Sequence, residues 1–248
     1  MMHYLWDTFL YHPLINLLAF LVSVIPGGDL GIAVVILTIL VRILLYPLTQ
    51  KSIEGQAKMN LLAPEIAKIK ESGVSKEEQA RMTFDLYKKH KTNPFSGCLL
   101  VLVQMPVILA LYFVFSKGIE IDSNLLYSFV PSPETLNTMF LGLINISDKS
   151  LVLAQLAGLS QYFQAHYMPK APTPKAGATD FAASFQKSLQ MQMKYFFPVF
   201  IFILLYTDFL GVSLSGAVAL YWITNNVFAI GQQIYADKKH KLELAVVK

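Results

Sequence analysis

The chain has 248 residues, of which 54% are hydrophobic and only 15% are charged, and its net charge is +4. Soluble domains carry about 25% charged residues, so this composition excludes a typical cytosolic protein and predicts a protein that lies in a lipid bilayer. The single cysteine, Cys98, excludes a disulfide framework and every metal site that needs several cysteines.

The first 30 residues contain an apolar stretch, residues 14–25, that follows several aromatic side chains. Its 12 residues are fewer than the roughly 20 that a helix needs to cross the hydrocarbon. We therefore predict that residues 1–30 form an external helix that lies in the membrane interface. A signal peptide is an alternative by length, but no Lys or Arg precedes Arg42 to supply its positively charged region.

Five later stretches are long and apolar enough to predict membrane-spanning helices. They are residues 31–48, 97–115, 151–167, 191–210 and 216–234. The only charged residues inside them are Arg42 in the first and Lys194 and Asp208 near the ends of the fourth. The predicted fold class is all-α, a polytopic membrane protein with five transmembrane helices.

Basic residues alternate between the segments that join these spans. Segments 49–96, 168–194 and 235–248 contain 9, 4 and 4 Lys and Arg, whereas segments 1–30, 116–150 and 211–215 contain 0, 2 and 0. Because Lys and Arg concentrate on the cytoplasmic side, the amino terminus is predicted to be outside. We predict a cytoplasmic hairpin (49–96), loop (168–190) and basic tail (235–248), with an external loop (116–150) and an external turn (211–215).

The segment 49–96 is predicted to form a hairpin of two helices. The first helix covers about Thr49 to Glu71 with a bend near Pro64. Ser75 then opens the second, because a hydroxyl followed three residues later by Glu78 is typical of a capping box. Two interpretations stay open for this hairpin, a solvated spacer and a docking surface.

Arg42 is the main candidate for a functional residue. It lies six residues before the cytoplasmic end of its predicted span, which places its backbone roughly 9 Å inside the membrane boundary at about 1.5 Å per residue. A charge there costs about 2.5 to more than 10 kcal/mol and is usually functional, although an anchor that reaches the headgroups is the alternative. The one carboxylate in the other spans, Asp208, lies at the opposite, outer end. An unpaired guanidinium needs water and neutral groups, which predicts a hydrated groove open to the cytoplasm.

Neutral polar side chains recur on single helical faces of the predicted spans. Alone, each is expected to be an interhelical hydrogen bond worth about 0.6 kcal/mol, and only their convergence on Arg42 predicts a site. The predicted groove residues are Arg42, Thr38, Gln104, Gln161, Gln164, Tyr221, Trp222 and Asn225. Thr49 and Gln232 continue two of these faces.

No catalytic or cofactor motif occurs in the sequence. The five histidines are dispersed without metal-ligand spacing, and there is no phosphate-binding, dinucleotide-binding or nucleophile-elbow pattern. We therefore expect no enzyme, no cofactor and no metal site.

Four motifs identify a family resemblance. They are ILTILVRILLYPLTQKS (36–52), LAPEI (62–66), NPFSGC (93–98) followed by QMP (104–106), and LYWITNN (220–226). In this order around five predicted spans, they resemble the YidC/Oxa/Alb family of membrane protein insertases, in its minimal form without a large periplasmic domain.

The resemblance implies a function and a location. It implies a protein of the bacterial plasma membrane that inserts hydrophobic client proteins into the bilayer, and helps them fold, without hydrolysing ATP, through a groove containing Arg42. The implied partners are nascent membrane-protein clients and lipid, with the Sec translocon and the ribosome left open, and no direct contact with nucleic acid is expected.

Two other function classes were weighed. A channel or solute transporter would use Arg42 as an anion site, but such folds commonly have paired halves, and this sequence shows no repeated motif. A purely structural assembly scaffold would not need the arginine.

Overall fold

A computed structural model describes residues 6–90, 92, 104–110, 112–114, 123–133, 135–168, 188, 190–208, 211 and 213–246, apart from the side chains of residues 60, 63, 70 and 239–246. The motif at 93–98, the beginning of the second predicted span and most of the loop 168–190 lie outside the described residues. The described chain is mostly helical, which agrees with an all-α membrane protein.

Seven helices follow one another in the described ranges. They are α1 (Asp7–Val24), whose first turn Asp7–Tyr11 is π-helical, α2 (Leu30–Glu71), α3 (Lys76–Lys89), α4 (104–110 and 112–114), α5 (Leu151–Tyr167), α6 (Gln192–Tyr206), π-helical over Gln192–Phe196, and α7 (Gly216–Val246). Short 3-10 turns occur at Pro26–Gly28 and Ser123–Leu125, and a small antiparallel hairpin pairs β1 (Met139–Phe140) with β2 (Ile144–Asn145).

Helix α1 is longer than the sequence pattern indicated. The predicted apolar stretch had 12 residues, whereas the helix from Asp7 to Val24 has 18. Polar residues before the stretch, such as Asp7 and His12, hid this continuity, because they interrupt the apolar pattern without ending the helix. In the described ranges, α1 and Leu30–Met59 are the two helices long and apolar enough to cross a membrane, and residues 104–114 and Gln192–Tyr206 form shorter apolar helices.

Helix α2 is continuous through the predicted boundary between the first span and the hairpin. It begins at Asp29, whose carboxylate accepts a hydrogen bond from the backbone N–H of Ile32 at 3.0 Å. Pro47 and Pro64 both lie inside the helix. The helix ends before Gly73, which has a φ of +72°. The predicted separate helix beginning near Thr49 is thus the second half of α2.

Helix α3 begins with the predicted cap. The Ser75 hydroxyl accepts a hydrogen bond from the backbone N–H of Glu78 at 3.2 Å, which satisfies a donor that no helical carbonyl reaches. Helix α3 packs against α2. Its residues are all partly or fully exposed, so the two helices form a hairpin with a thin interface.

The bundle core forms where α5 contacts both α6 and α7, and α7 also packs along α2. Ala154 and Ala157 of α5 are fully buried. A Cβ added at Gly158 would lie 2.9 Å from the carbonyl oxygen of Pro198. The absence of a side chain at Gly158 therefore lets α6 approach α5 closely.

A second connection joins the start of α2 to residues 135–148. The Asp29 carboxylate, besides capping α2, accepts a hydrogen bond from the backbone N–H of Leu141 at 2.8 Å. Gly28 has a φ of +62°, and a Cβ there would lie 2.4 Å from the carbonyl oxygen of Thr135. This junction tethers the small β-hairpin to the end of the bundle from which α2 begins.

Candidate functional site

Arg42 lies on α2 with 9% of its surface exposed, and its partner is a neutral amide. Its Nε donates to Oδ1 of Asn225 at 2.6 Å, and its Nη2 donates to the backbone oxygen of the same residue at 3.4 Å. Over the ranges the structure describes, no carboxylate forms an ion pair with Arg42. The cation is therefore held by dipoles rather than by a counter-ion.

Helix α4 supplies a second polar group to the same place. Gln104 donates through Nε2 to the hydroxyl of Tyr221 and, at 3.4 Å, to Oδ1 of Asn225. Tyr221 and Asn225 lie four residues apart on α7 and so share one helical face. Arg42, Gln104, Tyr221 and Asn225, referred to below as the arginine cluster, thereby bring together α2, α4 and α7.

Thr38 lies one turn before Arg42, and its hydroxyl donates to the backbone oxygen of Val34 at 2.6 Å. It is 2% exposed. A hydroxyl that bonds back to its own helix is satisfied without a neighbour. Thr38 is therefore on the predicted face but is not hydrogen-bonded to Arg42.

The other predicted groove residues form a separate amide cluster between α5 and α7. Trp222 donates its indole N–H to Oε1 of Gln161 at 2.9 Å, and Gln161 donates to Oε1 of Gln164 at 3.2 Å. Asn226 donates through Nδ2 to Oγ of Ser160 at 3.0 Å and to Oε1 of Gln161 at 3.2 Å. The predicted set thus divides into two clusters on adjacent faces of α7.

Ser160 and Asn226 were missing from the predicted set. Asn226 could have been found, because it lies four residues after Trp222 and so shares its helical face. Ser160 gave no such signal, because serine side chains in helices commonly bond to their own backbone.

A third polar contact joins α2 to α7 nearer the hairpin. Gln232 donates through Nε2 to Oγ1 of Thr49 at 2.9 Å and to Oε1 of Gln50 at 3.4 Å. Thr49 and Gln232 each lie seven residues beyond Arg42 and Asn225, so the interface between the two helices repeats a polar contact after two turns. The interface between α2 and α7 therefore contains polar contacts at Arg42 and, two turns later, at Thr49.

Asp208 is engaged far from Arg42. It follows the end of α6 and pairs with Lys149, which precedes α5. Hydrogen bonds from Lys149 and then from Ser213 hold the pKa of the Asp208 carboxyl below its usual range. This carboxylate links the end of α6 to the start of α5, and it is not available to Arg42.

The arginine cluster combines one positive charge with neutral hydrogen-bonding groups. Within the part of the chain that the structure describes, no group of three or more His, Cys, Asp or Glu could hold a metal ion. The next two residues of α2, Ile43 and Leu44, are 56% and 77% exposed and point about 100° and 200° around the helix from Arg42. The helix that carries the buried cation therefore also exposes, on other faces, apolar side chains suited to lipid or to another apolar helix.

Comparison with known proteins gives one family. The model of the 60Kd inner membrane protein family matches residues 20–243. The chain is 32% identical over 237 residues to the membrane protein insertase YidC of Fusobacterium nucleatum, covering 94% of this chain and 98% of that protein. It is 32% identical over 241 residues to the membrane protein insertase YidC of Shewanella pealeana, covering 96% of this chain and 38% of that protein. With the protein of that name from Pseudomonas fluorescens, it shares 29% identity over 246 residues, which are 99% of this chain and 37% of the relative.

Proposed function

The chain belongs to the 60Kd inner membrane protein family, and from this membership we propose that it is a membrane protein insertase acting through a hydrated groove that contains Arg42. Its clients are hydrophobic membrane proteins. The proposed action involves no hydrolytic or redox step. Cooperation with the Sec translocon or the ribosome is a further part of the proposal that rests on the family alone.

The arginine cluster supports this proposal. Arg42 is buried, yet its partner in the described chain is the amide and backbone oxygen of Asn225. A guanidinium in that state attracts a passing carboxylate more strongly than one already neutralised by a resident counter-ion. At an effective dielectric of about 20, two charges 4 Å apart interact by about 4 kcal/mol, and desolvation reduces this further. A client flank would be attracted without being trapped.

The exposed apolar side chains of α2 complete the proposed path. A client segment that leaves the groove passes the exposed side chains of Ile43 and Leu44. Its burial in lipid gains roughly 25 cal/mol per Å² of apolar surface. This gain would drive insertion once the polar flank has crossed the shortened low-dielectric distance.

The proposed topology has five spans, formed by the first part of α2, by α4, by α5, by α6 and by the first part of α7. The amino terminus is outside, and the hairpin and the carboxyl tail are cytoplasmic. The proposal keeps α1 in the outer interface, although its length would also suffice to cross.

Contacts at the start and in the middle of α1 support its interfacial placement. The ring of Trp6 lies 6.3 Å from that of Phe113, near the proposed outer end of α4. Asn16 donates to the backbone oxygen of Leu125 at 2.9 Å and accepts from the backbone N–H of Tyr127 at 2.6 Å, both in the external loop. A crossing helix would place Asn16 about 15 Å deeper in the membrane than Trp6, away from the external loop that it contacts.

The test is insertion into proteoliposomes that contain only the purified chain. Two single-span clients would differ only in whether the translocated flank carries an Asp or an Asn. We expect the wild-type chain to insert both clients. Arg42→Ala should reduce the insertion of the acidic client more than that of the neutral one. Arg42→Lys should retain much of the activity because the charge remains, and Arg42→Glu should fail.

The outcomes separate the alternatives. Equal losses for both clients would exclude electrostatic attraction and leave Arg42 as a hydration or structural residue. A solute-dependent current without any client insertion would support a channel or transporter. Protein level and thermal unfolding are compared for every variant, so that misfolding is not mistaken for lost function.

A further inference from the structure

Asn225 is the single acceptor residue of Arg42 among the described residues, and it is neutral. Its Oδ1 accepts hydrogen bonds from Nε of Arg42 at 2.6 Å and from Nε2 of Gln104 at 3.4 Å. The amide oxygen thus orients the guanidinium from α7 while Gln104 orients the amide from α4. No charge is added by any of these contacts.

The contact uses only part of the guanidinium. Arg has five N–H donors in a planar fork. The described hydrogen bonds of Arg42 come from Nε and Nη2, and Nη1 has no acceptor in the ranges the structure describes. The outer edge of the fork, formed by the two terminal nitrogens, therefore keeps the geometry that a carboxylate binds in a bidentate manner.

We propose that the neutrality of residue 225 determines the specificity of the groove: Asn225 accepts from Arg42 without pairing its charge, and the preference for acidic client flanks is thereby preserved. This inference rests on the proposed function. Asn and Asp have nearly the same shape, so a carboxylate at position 225 would accept the same Nε–H but would also neutralise the cation. An incoming acidic flank would then meet a site whose charge is already paired.

The test compares two near-isosteric residues at one position. In Asn225→Asp, the preference for an acidic over a neutral flank peptide should fall roughly tenfold, which corresponds to about 1.4 kcal/mol. In Asn225→Ala, the acceptor is lost but the positive charge stays, so the preference should be kept. The measurement is the binding of labelled flank peptides that differ only by Asp or Asn, with the full chain in lipid nanodiscs.

Thr224→Asp is the matched control. It places the same charge on the same turn of α7, but Thr224 donates to the backbone oxygen of Leu220 at 2.9 Å and is not the acceptor of Arg42. We expect this variant to keep most of the preference for the acidic peptide. A loss as large as that of Asn225→Asp would mean that nearby negative charge alone explains the effect, and it would overturn the inference.

Two further results would contradict the role of Asn225. The first is an Asn225→Asp variant that folds and keeps the wild-type preference. The second is an Asn225→Ala variant that loses the preference. This result would contradict the inference even if Asn225→Asp does not fold. Client insertion by the wild-type chain is measured separately, so a failure of the proposed function is distinguishable from a failure of this inference.

Discussion

The indole N–H of Trp222 and the side-chain oxygen of Gln161 form a hydrogen bond of 2.9 Å that joins α7 to α5. Two other residues of α7 bond to different helices: Asn225 bonds to Arg42 of α2, and Tyr221 bonds to Gln104 of α4. One helix thus serves two polar clusters, because neighbouring residues on a helix point about 100° apart. The amide cluster sets the position of α7, on which the arginine cluster depends.

The first prediction concerns the Trp222–Gln161 bond. Trp222→Phe keeps an aromatic ring but removes the donor, and Gln161→Leu removes the acceptor. The double-mutant cycle should give a coupling free energy of about 1 kcal/mol in the free energy of unfolding. Trp6→Phe is the control, because no indole hydrogen bond of Trp6 occurs among the described residues and its cycle with Gln161→Leu should be additive. Additive losses for the Trp222 pair would show that the bond contributes nothing.

The second prediction uses two helical glycines in different surroundings. Gly158→Ala places a Cβ 2.9 Å from the carbonyl oxygen of Pro198 and 3.4 Å from Cβ of Phe202. The overpacking cost of about 1–3 kcal/mol should exceed the gain of about 1 kcal/mol from helix propensity. Gly231→Ala meets nothing within 4 Å and should stabilise the protein. Chemical unfolding in detergent measures both, and equal effects would contradict the close packing of α5 on α6.

The third prediction is the orientation of the chain. In a Cys98→Ala background, single cysteines replace Ser23, Ser72, Ser132 and Lys241 in turn. An impermeant thiol reagent should label the first and third in intact cells, and the other two only after the membrane is opened. Labelling of the Ser72→Cys variant from outside intact cells would reverse the proposed topology.

The fourth prediction concerns pH. The pKa of Asp208 is lowered chiefly by the hydrogen bond from Lys149. The stabilisation from this pair is therefore present above the unfolded-state pKa of Asp208 and is lost as the pH falls through the folded-state value. A carbon NMR titration should give a pKa below that of a free aspartate, and Lys149→Met should raise it.

Lys194→Met provides the control for that titration. It also removes a lysine charge, but at the opposite end of α6, where Lys194 lies 5.7 Å from the ring centroid of Tyr162. The pKa of Asp208 should stay unchanged in this variant. A pKa that Lys149→Met leaves unmoved would contradict the described contact.

The sequence predicted local features better than relations between helices. The apolar stretch 151–167 coincides with α5, and Ser75 caps α3, because both follow from nearby residues. The continuity of α2 was missed, because the change from apolar to charged residues near position 49 alters the surroundings of a helix without ending it. The chain there contains no capping residue followed by a break, and Pro47 removes only one backbone donor.

The polar residues show the same limit. Helical spacing correctly grouped Tyr221 with Asn225, since residues four apart share a face. It could not show that Gln161 and Trp222 bond to each other and to Asn226, because that depends on which helix packs against each face of α7. The close approach of α5 to α6 at Gly158 is a property of the packed bundle, which spacing along one chain does not contain.

Helix α2 carries both Arg42 and the first half of the hairpin on one continuous helix. It runs without interruption from Leu30 to Glu71, so about 44 Å of helix separates Arg42 from the hairpin tip at about 1.5 Å per residue. Pro47 lies one to two turns from Arg42 and is the nearest point at which this rod bends readily. Pro64 lies between Pro47 and the tip, so a load on the tip bends the helix at both prolines, and only the part that passes both bends reaches the first half of α2. Any motion that passes both bends would move the guanidinium relative to Asn225 along a single backbone.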